Sequence, residues 1–304
     1  MEKYIVDNEF KNTRIDTYLI EVLELSRNKI QKFIKNDKIL VNNNSVKNSY
    51  VLKENDVITV ENIEEEDFTV GPEKMELNIV YEDDDIIIIN KENGMVVHPA
   101  FGNEKGTLVN GLLYHFNQLS DINGELRPGI VHRIDAYTTG ILVVAKNNEA
   151  HESLAKQLSE KTVLRKYYAL VWGVINNDTG TIDAPIGRDT RDRKKQAVTS
   201  INSKNAITNF RVIKRFKNAT LIEAILETGR THQIRVHFSY INHPVVNDPV
   251  YGRRKRINDS GQCLHAKILG FNHPRTNKYM EFDSELPNKF LEILKKFDDN
   301  IELS

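Results

Sequence analysis

The stretch from Gly129 to Asn147, GIVHRIDAYTTGILVVAKN, places a charged pair immediately before an apolar run. The run 141–145 has the composition of a buried β-strand, whereas Arg133 and Asp135 carry opposite charges two positions apart. In an extended segment these two side chains would share one face. A charged pair beside a buried strand is costly unless the charges are paired or used. Two interpretations follow: a structural ion pair that holds a loop, or an ionised carboxylate at the floor of a cleft, favoured by neighbouring cations.

Strands and helices are predicted on both sides of this stretch, from about Met75 onward. Short apolar or alternating runs predict strands at 86–89, 163–172, 210–212 and 221–226. Apolar residues at helical spacing predict helices at 107–116, 148–161, 231–241 and 286–297. Together these elements predict one domain of mixed strands and helices over residues 75–304.

The N-terminal part of the chain has the pattern of a smaller domain at 13–60. A capping-box-like start at Thr13 and a capping serine at Ser26 predict two short helices. Short strands are predicted at 38–41, 45–47 and 51–60. The cations of the second helix indicate either a solvated face or a surface that follows RNA phosphates, and they include Arg27, Lys29, Lys32 and Lys35. The acidic segment 61–74 is predicted to be a linker.

Composition places the chain among ordinary globular proteins. Its 304 residues are 39% hydrophobic and 28% charged, with a formal net charge of −1, so any nucleic-acid binding depends on local basic patches. The single cysteine, Cys263, excludes internal disulfides and cysteine-rich metal sites. The first residues, MEKYIVDNEF, lack a signal-peptide pattern, and no apolar run approaches the roughly 20 residues of a membrane span. We therefore expect a cytoplasmic protein without membrane association, and a monomer by default.

Several common catalytic motifs are absent from the sequence. It contains no G-x-G-x-x-G or G-x-x-x-x-G-K-[ST] phosphate loop, no G-x-S-x-G elbow and no H-E-x-x-H motif. The histidines are scattered without the spacing of metal ligands. These absences argue against nucleotide-driven, redox and zinc chemistry.

The segment 132–140, HRIDAYTTG, resembles the HRLDxxTSG signature of pseudouridine synthases of the RluA/RluD type. Further segments resemble motifs of the same family in the same order, at 90–99 (NKENGMVVHP), 166–173 (KYYALVWG), 227–237 (ETGRTHQIRVH), 243–252 (HPVVNDPVYG) and 264–266 (LHA). Residues 36–42 and 52–58 resemble an S4 RNA-binding domain, with asparagines in place of its usual glycines. The resemblance runs from about Thr13 to Pro287. It departs from the family pattern at Glu92, at Ala136 and Tyr137, and at Asn242.

This resemblance implies an α+β fold. A small N-terminal S4-like domain would precede a catalytic domain built on a mixed, mainly antiparallel sheet with flanking helices and a central cleft. Enzymes of the family break the N1–C1′ bond of a uridine in RNA, rotate the base and rejoin it through C5. The reaction requires no cofactor and no metal. The implied partner is RNA, of the 23S ribosomal type or within pre-ribosomal particles, with no obligate protein partner.

The same resemblance assigns roles to individual residues. Asp135 matches the catalytic aspartate, which acts as a nucleophile at C1′ or as a base at C2′. Tyr167 matches the active-site tyrosine and Arg235 the basic residue that accompanies the aspartate. Arg133 would fill the space that a flipped base leaves, and Ile234 would pack under the uracil. The remaining residues expected to bind RNA are Arg230, His98, Arg27, Lys32 and Lys35, with the basic stretches 188–195 and 253–256.

Three alternatives are weighed against a ribosomal RNA synthase. The chain could be a non-catalytic RNA-binding or ribosome-assembly factor on the same fold, or a synthase that acts on tRNA. It could also be a carboxylate glycosidase, although the sequence identifies no second carboxylate paired with Asp135. Retention of Asp135, Tyr167 and Arg235 favours an active synthase.

Overall fold

The chain divides into two compact units, which we describe separately. A computed structural model describes residues 2–23, 25, 27–61, 70–99, 103–192, 195–252, 254 and 256–298. The N-terminal unit comprises Met1–Phe68 and the C-terminal unit comprises Thr69–Ser304. Most of the predicted linker at 61–74 lies outside the described residues, as does the predicted helix cap Ser26.

The N-terminal unit packs two short helices against a small antiparallel sheet. The helices are α1 Ile15–Leu23 and α2 Arg27–Lys35, and the strands are β1 Glu2–Ile5, β2 Ile39–Val41, β3 Asn44–Ser45 and β4 Val57–Val60. The strand order is β1-β4-β2-β3. The predicted inward residues Ile30 and Ile34 are buried, because they project from one face of α2 into a shared apolar core.

The N-terminal sheet differs from its sequence-based prediction in two respects. β1 lies before Thr13 and pairs with β4, with Glu2 opposite Val60. Its sequence, EKYI, is largely exposed at the edge of the sheet and therefore lacks a buried-strand pattern. The strand predicted at 51–60 is confined to β4.

Asparagines occupy turns where the S4 pattern usually has glycine. Asn42, Asn43 and Asn55 have φ values of 50°, 61° and 67°. Asparagine tolerates this left-handed region better than most side chains.

The C-terminal unit is built on one large sheet, with helices packed beside it. The helices are α3 Leu108–His115, α4 Asn148–Ser159, α5 Gln233–Tyr240 and α6 Asn288–Asp298. The strands are β5 Ile79–Glu82, β6 Ile86–Lys91, β7 Thr139–Ala145, β8 Leu164–Trp172, β9 Thr179–Asp183, β10 Ile186–Arg188, β11 Gln196–Val198, β12 Ile207–Arg215, β13 Ala219–Leu226, β14 Leu264–Asn272 and β15 Tyr279–Asp283. All the strands and helices predicted for this unit are present, with shifted ends.

Within the described residues, the sheet runs in the order β5-β6-β7-β14-β8-β13-β12-β9, with β15 paired to β14. Its pairs are antiparallel except for β7 with β14, which is parallel. This confirms the expected mixed, mainly antiparallel sheet. β6 and β7 are buried on both faces, because alternate residues enter two separate apolar cores.

Gly140 explains a glycine of the HRIDAYTTG segment. It has φ of +110°, and a Cβ there would lie 2.2 Å from the carbonyl oxygen of Ala266. Only glycine permits β7 to approach β14 this closely. The loop that carries Asp135 is therefore anchored directly to the centre of the sheet.

In the described part of the chain, no helix combines the length and the apolar character needed to cross a bilayer.

Candidate active site

A cleft of about 600 Å³ opens beside the central strands of the C-terminal unit. Its walls come from the loop before β7, the start of β8, and the segment that joins β13 to α5. Asp135, Tyr167 and Arg235 all line it, although they are far apart in sequence. The predicted central cleft is thus present and gathers the three residues that the sequence singles out.

Asp135 is paired with Arg235 at the floor of this cleft. Nη1 of Arg235 donates to Oδ2 of Asp135 at 2.8 Å. The Asp135 side chain is 24% exposed, whereas that of Arg235 is 4% exposed. The permanent positive charge of Arg235 therefore lies on the buried side of Asp135, and one face of the carboxyl group stays open to a substrate.

A second carboxylate fixes Arg235. Its Nε and Nη2 donate to the two oxygens of Asp248, at 2.7 and 2.9 Å. Asp248 is buried and also accepts from the backbone amides of Val250 and Tyr251. Burial opposes the charge on Arg235, but Asp248 and Asp135 outweigh it and raise the pKa of the guanidinium. In the resulting row, Asp248–Arg235–Asp135, the guanidinium is bonded on both sides, so the arginine side chain has little conformational freedom.

The structure decides between the two interpretations of the Arg133–Asp135 pair. The guanidinium of Arg133 donates to the hydroxyl of Thr231 at 3.2 Å and is exposed at the rim of the cleft. The residues within salt-bridge distance of Asp135, in the part of the chain described, are Arg235 and, at 3.9 Å, His232. The segment is also not a strand, so the shared-face argument for Arg133 does not hold. The cationic partner of Asp135 comes from α5 instead.

Tyr167 and Ile234 form an apolar floor next to this pair. They are 7% and 4% exposed, and both line the cleft. Burial raises the pKa of the Tyr167 hydroxyl, and the charge of Asp135 acts in the same direction. The tyrosine therefore stays protonated near neutral pH and offers a ring and a hydrogen-bond donor.

The other predicted RNA-binding residues fall into two groups. Arg230 and His98 line the cleft. Among the described residues, the buried Nδ1 atom of His98 has no hydrogen-bond partner, and burial together with Arg127 and Arg133 lowers the pKa of His98 to about 4. Arg27, Lys32 and Lys35 lie on α2 of the N-terminal unit. Parts of the basic stretches 188–195 and 253–256 lie outside the described residues.

Lys91 holds the loop that carries Asp135, and no residue with this role was predicted from the sequence. Its side chain is 1% exposed, and Nζ donates to the carbonyl oxygens of Glu92, Met95 and Ala136 at 2.8, 2.9 and 2.8 Å. Burial lowers its pKa to about 7. Lys91 is the last residue of β6 and lies in the segment 90–99, which resembles a family motif. Its position in that segment was the sequence feature that could have identified it.

Asp248 was also missed as a site residue. It lies in the resembling segment 243–252, but its role depends on the contact with Arg235 across the fold. Because both its oxygens are bonded and its side chain is fully buried, Asp248 does not offer the second free carboxyl group that a glycosidase uses.

One group in the described residues has metal-ligand spacing, and it lies outside the cleft. Asp83, Asp85 and His273 place one ligand atom each within 4.8 Å of one another. Arg275 donates to both oxygens of Asp85, at 2.7 and 2.6 Å, and His273 bonds to Asp83 at 2.9 Å. Both oxygens of Asp85 are therefore already occupied by the guanidinium of Arg275, and a hydrogen bond joins His273 to Asp83.

Comparison with known proteins places this geometry in a family. Residues 85–240 match the family model for RNA pseudouridylate synthase, and residues 13–58 match that of the S4 domain. The chain is 52% identical over 293 residues to the uncharacterized RNA pseudouridine synthase YlyB of Bacillus subtilis, covering 96% of both chains. It is 42% identical over 300 residues to ribosomal large subunit pseudouridine synthase D of Pseudomonas aeruginosa, covering 94% of this chain and 92% of the relative.

A solved structure agrees with these matches. Human RNA pseudouridylate synthase domain containing 1 superposes with a TM-score of 0.57 at 28% identity, covering 72% of this chain and 86% of that one. The family model spans the cleft residues Asp135, Tyr167 and Arg235, and the S4 match spans α1 and α2. This chain belongs to the RNA pseudouridine synthase family, and it is an isomerase of uridine in RNA that carries an S4 RNA-binding domain.

Proposed function

We propose that this enzyme isomerises uridines of large-subunit ribosomal RNA through Asp135, with neither a cofactor nor a metal ion. The observation that carries the proposal is the row Asp248–Arg235–Asp135 at the floor of the cleft. It presents one partly exposed carboxyl group, held from behind by a permanent cation, to any ribose that enters. Asp135 then attacks C1′ or removes the C2′ proton, and both roles use the ionised carboxylate.

The cleft is suited to a base that has left its stack. Tyr167 and Ile234 provide a ring and an aliphatic surface for a uracil, and Arg133 at the rim can stack in the space left behind. Arg230 and His98 extend the polar wall beside them. Unstacking a base costs a few kcal/mol, which these contacts would offset.

The N-terminal unit offers a further surface for RNA. The cations Arg27, Lys32 and Lys35 are exposed on α2, whereas Ile30 and Ile34 of the same helix pack into the core. Such exposed cations can neutralise backbone phosphates without reading sequence. Large-subunit RNA is favoured over tRNA because relatives matching most of this chain are named ribosomal large subunit pseudouridine synthase D.

The decisive experiment compares wild type with Asp135→Asn on two transcripts, large-subunit ribosomal RNA and a tRNA pool. Pseudouridine is mapped by chemical labelling, in parallel reactions with and without chelator. We expect product in the ribosomal transcript for wild type and a fall on the order of 10⁴-fold for the variant, as when a covalent catalyst loses its nucleophile. The exposed Asp178 provides the matched control Asp178→Asn, which should keep full activity.

Each alternative has its own result in this experiment. Product in tRNA alone would replace the ribosomal assignment. RNA binding without product in wild type would favour an assembly factor. Activity lost on adding chelator would contradict metal-free chemistry, and a fully active Asp135→Asn would remove Asp135 from the mechanism.

A further inference from the structure

Arg165 is a buried cation in the cleft that no carboxylate neutralises within the described residues. It lies on β8 and is 8% exposed. Its Nε is buried and has no hydrogen-bond partner in the part of the chain that the structure describes. Nη2 reaches the carbonyl oxygens of Leu226 and Glu227 only at 3.5 and 3.4 Å, near the limit of a hydrogen bond.

This arginine contrasts sharply with Arg235, which is equally buried. Arg235 binds two carboxylates, and its pKa is raised. Burial instead lowers the pKa of Arg165. An unpaired buried charge costs several kcal/mol, so a protein retains one where a ligand supplies the missing charge.

The direction of the side chain points to a ligand in the cleft. Arg165 and Tyr167 are two residues apart on β8, so both project from the same face, and both line the cleft. Lys166 between them projects from the other face and does not line it. A Cβ at Gly229 would lie 2.7 Å from Nη1 of Arg165, so the absence of a side chain there leaves room for the guanidinium.

The reaction of the family creates a negative charge beside Tyr167. When the N1–C1′ bond breaks, its electron pair leaves with the base and gives a uracil anion. That charge is shared by N1, the carbonyl oxygens O2 and O4, and C5, which then forms the new bond to C1′. When C5 bonds to C1′, Asp135 is released as a carboxylate, or returns its proton to C2′ if it acted as a base. The C5 proton then passes to water and N1 takes up a proton from water, so atoms and charge balance without any further reactant.

We propose that Arg165 is a catalytic residue whose guanidinium binds a carbonyl oxygen of the uracil and stabilises the detached base as an anion. This rests on the function proposed above, because it places the uracil between Tyr167 and Ile234. A phosphate is the less suitable partner, since Arg133 and Arg230 lie nearer the solvent, where a backbone would pass. A guanidinium fixed before the reaction needs no reorganisation as the charge develops.

The experiment uses Arg165→Gln, Arg165→Lys and the neighbouring control Lys166→Gln in the full-length protein. Single-turnover rates and RNA affinities are measured on the ribosomal transcript, and thermal unfolding is recorded for each variant. A second transcript carries 5-fluorouridine, whose fluorine stabilises the detached anion. For it the readout is loss of the N-linked nucleoside in digests, because C5 then has no proton to lose.

We expect Arg165→Gln to slow the uridine reaction on the order of 10²-fold, as for removal of one donor to a developing anion. RNA affinity and its salt dependence should be unchanged, Arg165→Lys should be intermediate, and Lys166→Gln should match wild type. The defect should be clearly smaller for 5-fluorouridine, because that base needs less help to leave. The ratio of the two rates is independent of the folded fraction, so it also tests a destabilised variant.

Three results would overturn the proposal. An equal defect on both bases would assign Arg165 a structural role. A weaker affinity with a shallower salt dependence and an unchanged single-turnover rate would assign it to a phosphate. A full rate in Arg165→Gln, while Asp135→Asn remains inactive, would reject the role of Arg165 and leave the proposed function intact.

Discussion

At the scale of single residues, the site depends on how one arginine is shared between two aspartates. Arg235 is bonded to Asp248 through two nitrogens and to Asp135 through the third. The fully buried Asp248 fixes the guanidinium plane, and the partly exposed Asp135 receives the remaining donor. The ring of Tyr251 lies 5.1 Å from the guanidinium and limits its movement further. Asp248 is thus a positioning residue that acts through Arg235.

We expect Asp248→Asn to separate positioning from binding. Asparagine keeps the shape of Asp248 but lacks its negative charge. Because the buried guanidinium of Arg235 then loses a counter-ion, the free energy of unfolding should fall by about 3 kcal/mol. The single-turnover rate should fall about 10²-fold, since small displacements of catalytic groups are costly, while RNA affinity stays the same. Urea unfolding and rapid-quench kinetics measure the two effects, with Asp178→Asn as control. A destabilised variant that reacts at the wild-type rate would contradict this role.

At the scale of elements, the loop between 131 and 138 is held at three points. Gly140, the second residue of β7, lies against β14 with no room for a side chain. From β6, Lys91 bonds the carbonyl oxygen of Ala136, the residue next to Asp135. His132 anchors the start of the loop, because its Nε2 accepts from the backbone amide of Val143 at 3.1 Å. The loop has no regular secondary structure, but these contacts restrict its movement.

We expect Lys91→Met to loosen this loop without removing any group of the cleft. Methionine matches the length of the lysine but removes the donor to three partly buried carbonyl oxygens, at about 1–3 kcal/mol each. The turnover number should fall while the KM for RNA changes little, because Asp135 is less well placed and the RNA contacts remain. The exposed Lys156 supplies the control Lys156→Met. Equal turnover numbers for wild type and Lys91→Met would show that the loop holds its position without the lysine.

At the scale of the whole molecule, histidines link stability to pH. Burial lowers the pKa of His98 and His265 to about 4, and loss of water around the partly exposed His132 lowers its pKa to about 3. In the unfolded chain histidines bind protons near pH 6.5. Between these values the unfolded state holds more protons than the folded state, so stability falls as the pH falls. The loss begins below about pH 6.5 and is complete near the folded pKa values.

We therefore expect urea unfolding midpoints to drop between about pH 7 and about pH 5 in wild type. His132→Gln should show a smaller drop, because its side chain does not titrate and can still accept from Val143. The comparison of the two proteins cancels the contributions of all other groups. Parallel pH profiles would mean that His132 does not titrate differently in the folded state.

The sequence predicted every strand and helix that has a strong pattern of its own. Buried runs such as 86–89 and helices with an apolar stripe such as 148–161 correspond to β6 and α4. It missed β1 and β9, whose residues are largely exposed, because an edge strand needs no apolar alternation. It also missed the central strand β14, in which the polar residues His265 and Lys267 interrupt the apolar run. The cleft residues Asp135, Tyr167 and Arg235 were identified by family motif, and the structure brings them together.

By itself the sequence determined the local elements, the two-unit organisation of motifs and the chemistry that the residues offer. Only the tertiary structure decided which charges meet: Asp135 pairs with Arg235 rather than with its neighbour Arg133, Asp248 holds that arginine, and Arg165 is left unpaired in the described structure. The physical reason is that the spacing of apolar residues along the chain shows only which face of a helix or strand is buried and which is exposed to solvent. Contacts between distant segments depend instead on the order of strands in the sheet, which no local pattern encodes.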